Sequence, residues 1–262
     1  MLNHTFAISA FRDSPYLEEC IKSLKKQTVP SRIILCTSTP SFFLEEMAQA
    51  YDIPYYVRDG ISNIQDDWNF AYEMADTSLV TIVHQDDKYH RDYVRYARRC
   101  WKFHPDTTVF CTDSAIIKNG EVQRPGLVEV VKKILRLPLR VGLFTNRVTV
   151  KRSVLMFGNP IICPSCTYHK GRLGTPLFRT DFEFALDWAT MWELAGRPGR
   201  FVCNERRLLL YRVHAEAATK ASIVNNRRAE EELRMYQMIW PKSFAKLLMH
   251  FYRKAYKTYD EV

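Results

Sequence analysis

"VTIVHQDDKYH", residues 80–90, decides how the chain folds. A β-branched, apolar run reads as a strand. It passes through His84 and Gln85 and then stops on two adjacent carboxylates, Asp86 and Asp87. Neighbouring negative charges repel, so something must offset them. A turn open to water is one answer and a bound cation is the other. If the sheet is an open α/β sheet, ligands bind beyond the carboxyl ends of its strands, which is where this pair would stand.

Outward from that stretch, strand and helix patterns alternate. Residues 4–9, 32–37, 54–58, 78–83 and 107–117 read as strands. Residues 14–28, 41–51, 64–75 and 91–104 carry apolar residues at helical spacing. Ser14 is placed to cap the first helix, with Pro15 at its first position. Strands separated by such helices predict βαβ units and a mostly parallel central sheet flanked by helices. Three loops, 10–14, 37–41 and 84–88, should then meet at one edge. The second half is less regular. Residues 127–136 and 187–196 read as helices and 200–214 as strand-like. Residues 225–240 and 241–259 read as two terminal helices, so the expected division is a catalytic domain over 1–220 and a helical extension over 221–262.

The 262 residues carry a formal charge of +9, and the pI is about 9.2. An excess of this sign favours an anionic partner. No apolar run reaches the roughly 18 to 20 residues needed to cross a bilayer. "MLNHTFAISAF" reads as a first strand and not as a secretory leader. Seven cysteines, an odd number without a regular framework, suit a reducing cytoplasm. Cys163 and Cys166 form a lone C-x-x-C, read as a thiol pair because no second pair completes a zinc site.

Several pieces in order resemble family 2 glycosyltransferases of the GT-A fold. They are "FAISAFRDSPYLEECIKSLKKQT", "RIILCTSTP", "DDWNFAYEMADTSLVTIVHQDDKYHRDYV" and "FALDWATMWELAGRPGRFVCNERRLLLYRVH". The resemblance spans roughly residues 4–220. It implies a nucleotide-diphosphate sugar donor, a divalent metal (Mg2+ or Mn2+), and inversion at the anomeric carbon. Asp86 matches the second acid of the family's D-x-D, with Asp87 its neighbour, and both are expected at the metal. Ser9 and Phe11 fall where the first loop touches nucleobase and ribose, and Thr37 and Ser38 where a second loop holds the base. Asp187 matches the general base, with Asp181 and Glu183 its nearest competitors and a helix N-cap its structural alternative. Arg212 and His214 are expected to hydrogen-bond phosphate. The sequence departs from the family twice. His84 replaces the first acid of D-x-D, as a loop contact and not a Mg2+ ligand. The loop "CTSTP" lacks the usual acidic pair.

The resemblance also implies a glycan or polyprenyl-diphosphate-linked acceptor and a role in cell-surface polysaccharide or lipopolysaccharide assembly. Two basic stretches bear on location. Residues 127–152 hold seven Lys or Arg against Glu129, and Lys132, Lys133 and Arg136 flank apolar residues. In 241–259, Phe244, Leu247, Leu248, Phe251 and Tyr252 form an apolar face among lysines. Such helices lie on anionic membranes, or their apolar faces pack on the domain. A cytoplasmic protein, peripheral at the inner membrane face, is the expectation. Other readings are a nucleotidyltransferase, a non-catalytic transferase-like protein and a basic anion binder. The first lacks a glycine in "SAFRDSPY". No zinc finger or RNA-recognition motif is present, so no nucleic-acid partner is expected.

Overall fold

The computed structural model describes residues 3–140, 142–214 and 227–253. The first half alternates as the pattern predicts. Strands β1 (His4–Ala10), β2 (Arg32–Thr37), β3 (Tyr55–Val57) and β4 (Leu79–His84) are joined by helices α1 (Leu17–Lys25), α2 (Phe42–Ala50) and α3 (Ile64–Met74). β5 (Lys88–Tyr89) and α4 (Tyr93–Phe103) lead to the long β6 (Thr107–Lys118) and the short β7 (Glu121–Val122). Then come α5 (Leu127–Leu135), α6 (Val148–Leu155), β8 (Thr167–His169), α7 (Lys170–Leu173), α8 (Leu186–Gly196) and β9 (Arg200–Arg212). Helices α9 (Arg227–Ile239) and α10 (Lys242–Tyr252) follow.

The strand order is β3-β2-β1-β4-β8-β6-β9-β5, with β7 on β6. β3, β2, β1 and β4 run parallel. β8 enters antiparallel between β4 and β6, β6 and β9 pair parallel, and β5 closes antiparallel on β9. The parallel character thus belongs to the first half, and the second half mixes directions. Strand order reverses at β1, whose neighbours are β2 and β4. Ser9 lies level with both Cys36 and His84, so the loops after the three strands leave the sheet side by side.

Side chains alternate across a strand, and the parallel strands are apolar on both faces. Phe6, Ile8, Leu35 and Val83 pack on α1, α2 and α4. Ala7, Ile34, Val80 and Ile82 pack on the opposite side, in a cluster with Trp188 and Met191 of α8. Met235 and Tyr236 of α9 and Ala245 and Met249 of α10 join that same cluster. The boundary expected at 220–221 and the helix expected over 254–259 lie outside the described residues. The apolar face of α10 is divided: Leu248 and Tyr252 pack on the core, while Phe244, Leu247 and Phe251 stay exposed.

Two capping expectations are corrected. Ser14 does not cap α1, which begins at Leu17. Its hydroxyl accepts the Tyr16 amide at 3.3 Å and donates to Asp86. Asp187 does not cap α8, whose N-cap is Ala185, because the helix starts one residue earlier than its polar signal. Among the described residues no helix is long and apolar enough to cross a membrane.

Candidate active site

The loops after β1 and β4 open into a cleft of about 920 Å³. Ser9, Phe11, His84, Asp86, Asp87 and Asp187 all line it, as do Arg212 and His214. The fold thus brings the chain's two singled-out acidic regions, a hundred residues apart in sequence, to one space.

The Asp86–Asp87 turn is held by Ser14, Arg212 and His214. Asp86 accepts from the Ser14 hydroxyl at 2.9 Å on Oδ1 and meets His214 Nε2 at 3.0 Å on Oδ2. Asp87 is 1% exposed, and its Oδ1 accepts the backbone N–H of Arg212 at 2.9 Å. Burial pushes its carboxyl well above the usual range, and the Arg212 amide only partly offsets this. Its Oδ2 is buried without a hydrogen-bond partner among the described residues. The two carboxylates therefore do not form a matched pair facing the cleft. The Asp86 oxygens are bonded to Ser14 and His214 at the cleft, and Asp87 anchors the loop to β9.

Arg212 is also committed. Its Nε donates to the Asp86 carbonyl at 2.8 Å, its Nη2 donates to Glu19, and the guanidinium lies 4.2 Å from the Tyr16 ring centroid. It acts first as a clamp on the turn, with phosphate at most a second contact. Lys88 reaches the same Glu19 at 2.6 Å, and the two cations, Lys88 foremost, hold that carboxyl below its ordinary value.

His84 stacks on Trp68 of α3, ring centroids 5.0 Å apart and planes 25° from parallel. Burial lowers its pKa to about 4, although Asp86 acts in the other direction. It is therefore neutral near pH 7, and its Nε2 has no partner among the described residues. The imidazole thus supplies an aromatic wall and one polar atom where an acid would have supplied charge. Phe11 is 49% exposed at the mouth, with Arg12 over its ring at 5.0 Å. Thr37 and Ser38 do not reach the cleft lining. Thr37 is buried and its hydroxyl accepts the Thr39 amide at 3.0 Å.

Asp187 sits in the first turn of α8. Its Oδ1 accepts the Trp188 amide at 2.7 Å, and its Oδ2 accepts from Asn159 Nδ2 at 2.9 Å. Asn159 cannot be reversed without loss, since its Oδ1 accepts the Ile161 amide at 3.1 Å. Burial raises the Asp187 carboxyl to about 6, partly opposed by the Trp188 amide and by Lys132. The competitors are occupied elsewhere: Asp181 pairs with Arg234 and Glu183 with Arg227, both on the surface. The turn bearing Asn159 is keyed to α10. Gly158 has φ +131°, and a Cβ there would stand 2.7 Å from the Tyr252 ring.

Sequence reasoning missed Asn159, Ser14 as a partner of Asp86, and Glu19. "GNP" signalled only a turn, and Glu19 looked like any exposed helical acid. The C-x-x-C cysteines are buried, and the Cys166 thiol donates to the Ile162 carbonyl at 3.6 Å.

No protein-family model and no curated protein matches the sequence. Solved structures do match. Residues 1–349 of S. aureus TarS with UDP-GlcNAc align over 98% of this chain and 73% of that one, at TM-score 0.62 and 12% identity. The mannosyltransferase PcManGT of Pyrobaculum calidifontis, with GDP-Man and Mn2+, aligns over 95% and 70%, at 0.64 and 14%. The glucosyl-3-phosphoglycerate synthase of Mycobacterium tuberculosis, with Mn2+, UDP and glucosyl-3-phosphoglycerate, aligns over 87% and 78%, at 0.58 and 11%. The chain has the GT-A fold. In GT-A terms, the cleft lies at the strand-end edge of the sheet, where β1, β2 and β4 finish together.

Proposed function

We propose that the protein is an inverting glycosyltransferase that moves a sugar from a nucleoside-diphosphate sugar to an acceptor hydroxyl. One observation carries the reading: Asp86 and Asp187 face one cleft from different elements, and Asp187 is held at about 6. A base of that pKa is deprotonated at neutral pH yet basic enough to take a proton in the transition state. The acceptor oxygen forms its bond to the anomeric carbon as the bond from that carbon to the diphosphate oxygen breaks. The electron pair leaves with the diphosphate, and the hydroxyl proton passes to Asp187. The Asn159 and Trp188 donors fix the carboxylate's orientation for this step.

Asp86 and His214, 3.0 Å apart, would hold a divalent cation only with diphosphate oxygens and water completing its shell, since among the described residues no three such side chains form a metal site by themselves. This mixed oxygen and nitrogen set suits Mn2+ better than Mg2+, which prefers oxygen alone. Bound there, a cation would supply positive charge to the departing diphosphate. The orphaned His84 Nε2 and the Phe11 ring suit the ribose and base of the nucleotide. A glycan or lipid-linked acceptor in surface polysaccharide synthesis is the matching biological setting. The exposed Phe244, Leu247 and Phe251 on α10 suit a protein working at a membrane face.

Thermal unfolding across a panel of nucleoside diphosphates, with and without Mn2+, tests the reading. A ligand at a hundred times its Kd adds about 2.7 kcal/mol to the folded state. One nucleotide should stabilise the wild type only with Mn2+, and Asp86→Ala should lose the effect. No stabilisation by any nucleotide under either condition would sink the proposal.

A further inference from the structure

The wall of the cleft beside Asp187 carries charge that no described residue neutralises by an ion pair. Lys132 and Lys133 of α5 both line it, and neither forms an ion pair with a described residue. The acids near them are already engaged. Asp113 is bonded by Arg136 at 2.8 Å and Arg140 at 2.9 Å, so one carboxylate faces two guanidiniums. Glu129 accepts the Gly126 amide at 2.8 Å at the start of α5. Glu232 is paired with Arg228 at 3.0 Å. Arg207 adds a further cation to the lining. It stands opposite Asp113 where the β6–β9 ladder shifts register, an irregularity of the kind that re-aims side chains at sites.

Lys132 lies on the Asp187 side of the cleft. The outside charge acting on Asp187 that favours its ionised form is Lys132. The charges acting on Asp87 are those of Asp86 and Arg212. A neutral sugar hydroxyl can accept a hydrogen bond from an ammonium group but leaves its charge uncompensated. A phosphate carries roughly −1.5 to −2 charges at neutral pH and several strong acceptor oxygens, which matches the two ammonium groups.

We propose that Lys132 and Lys133, with Arg207 near them, bind a phosphate group of the acceptor beside the hydroxyl that Asp187 deprotonates. The acceptor is then a phosphorylated compound, a monoester or a diphosphate. This rests on Asp187 being the base. Leu127, Val130, Val131 and Ile134 of α5 are exposed on the same helix, so the phosphate has two possible sources, a lipid head or a soluble sugar phosphate.

The test uses the full chain saturated with the nucleoside diphosphate and Mn2+ that stabilise it. It is titrated with glucose 1-phosphate, with methyl glucoside, and with phosphatidylcholine vesicles with and without polyprenyl phosphate. Charge-assisted hydrogen bonds of about 1.5–3 kcal/mol each predict at least a tenfold preference for a phosphorylated probe over its neutral counterpart. K132Q/K133Q should erase that preference and leave nucleotide affinity unchanged, and K133Q alone should weaken it severalfold. Vesicle binding without glucose 1-phosphate binding identifies a lipid head; the reverse identifies a soluble acceptor. The proposal is overturned if neither phosphorylated probe outbinds its control while the nucleotide still binds. It is also overturned if the double variant loses the nucleotide, which would assign the lysines to the donor. If no nucleotide binds the wild type, the transferase reading fails, and this proposal with it.

Discussion

At the donor end of the cleft, residues from α1, the loop before it and the end of β9 converge on one turn, and nearly every polar group of Asp86 and Arg212 has a named partner. At the other end, α5 buries none of its residues; its lysines line the cleft, and Leu127, Val130, Val131 and Ile134 are exposed. The contrast is between a part whose geometry is over-determined and a part that can adapt. A nucleoside diphosphate is a constant chemical object, and a rigid site suits it. Acceptors vary, and a loosely packed helix can change without disturbing the sheet.

The largest expected effect tests whether the two ends are joined by one reaction. Asp187→Asn should lower nucleotide-sugar turnover by about 10²- to 10⁴-fold, the usual worth of a positioned base. Nucleotide affinity by thermal shift should not move. A parallel loss of both would mean that Asp187 belongs to the donor end. Next, Arg212→Met should destabilise the fold by about 1–3 kcal/mol, through the lost carbonyl and Glu19 bonds and the Tyr16 contact. It should also raise the nucleotide Kd, whereas no single change on α5 should do so.

A finer test uses pH. Turnover by the wild type should rise about tenfold per pH unit below about 6 and level off above it, because the carboxyl must lose its proton to act as base. Asn159→Ala removes a donor that favours the ionised carboxylate, so the inflection should move to higher pH. Turnover at pH 6 should fall severalfold, and turnover at pH 9 should recover much of the loss. A uniform loss at every pH would reduce Asn159 to a structural role. The smallest effect belongs to α5. Ile134→Ser, at a residue 56% exposed, should change unfolding free energy by no more than about 0.5 kcal/mol.

The first half of the fold was legible because local signals agreed there. Apolar strand runs and regular helix spacing both pointed one way, although the one cap read there, Ser14, is not the cap of α1. The second half was harder for identifiable reasons. α6 is the segment "VTVKRSVL", whose branched residues argue against a helix. Tertiary contact makes it one, with Val154 and Leu155 buried in the cluster that holds α8. β8 has three residues after a Cys-Pro-Ser-Cys turn, too short for periodicity to register. Asp86 and Asp187 were singled out through the family pattern, and both line the cleft. Asn159 and Glu19 were not, since their roles exist only through partners far away in sequence. Thr37 and Ser38 were singled out by the resemblance; neither lines the cleft, and the Thr37 hydroxyl accepts the Thr39 amide.

The contact between Gly158 and the Tyr252 ring has a temporal side. Tyr252 is synthesised long after Gly158, so on the ribosome the sheet and the Asp86 turn are complete before the last helix can dock. Until then the turn that carries Asn159, and through it the orientation of Asp187, lacks this packing partner.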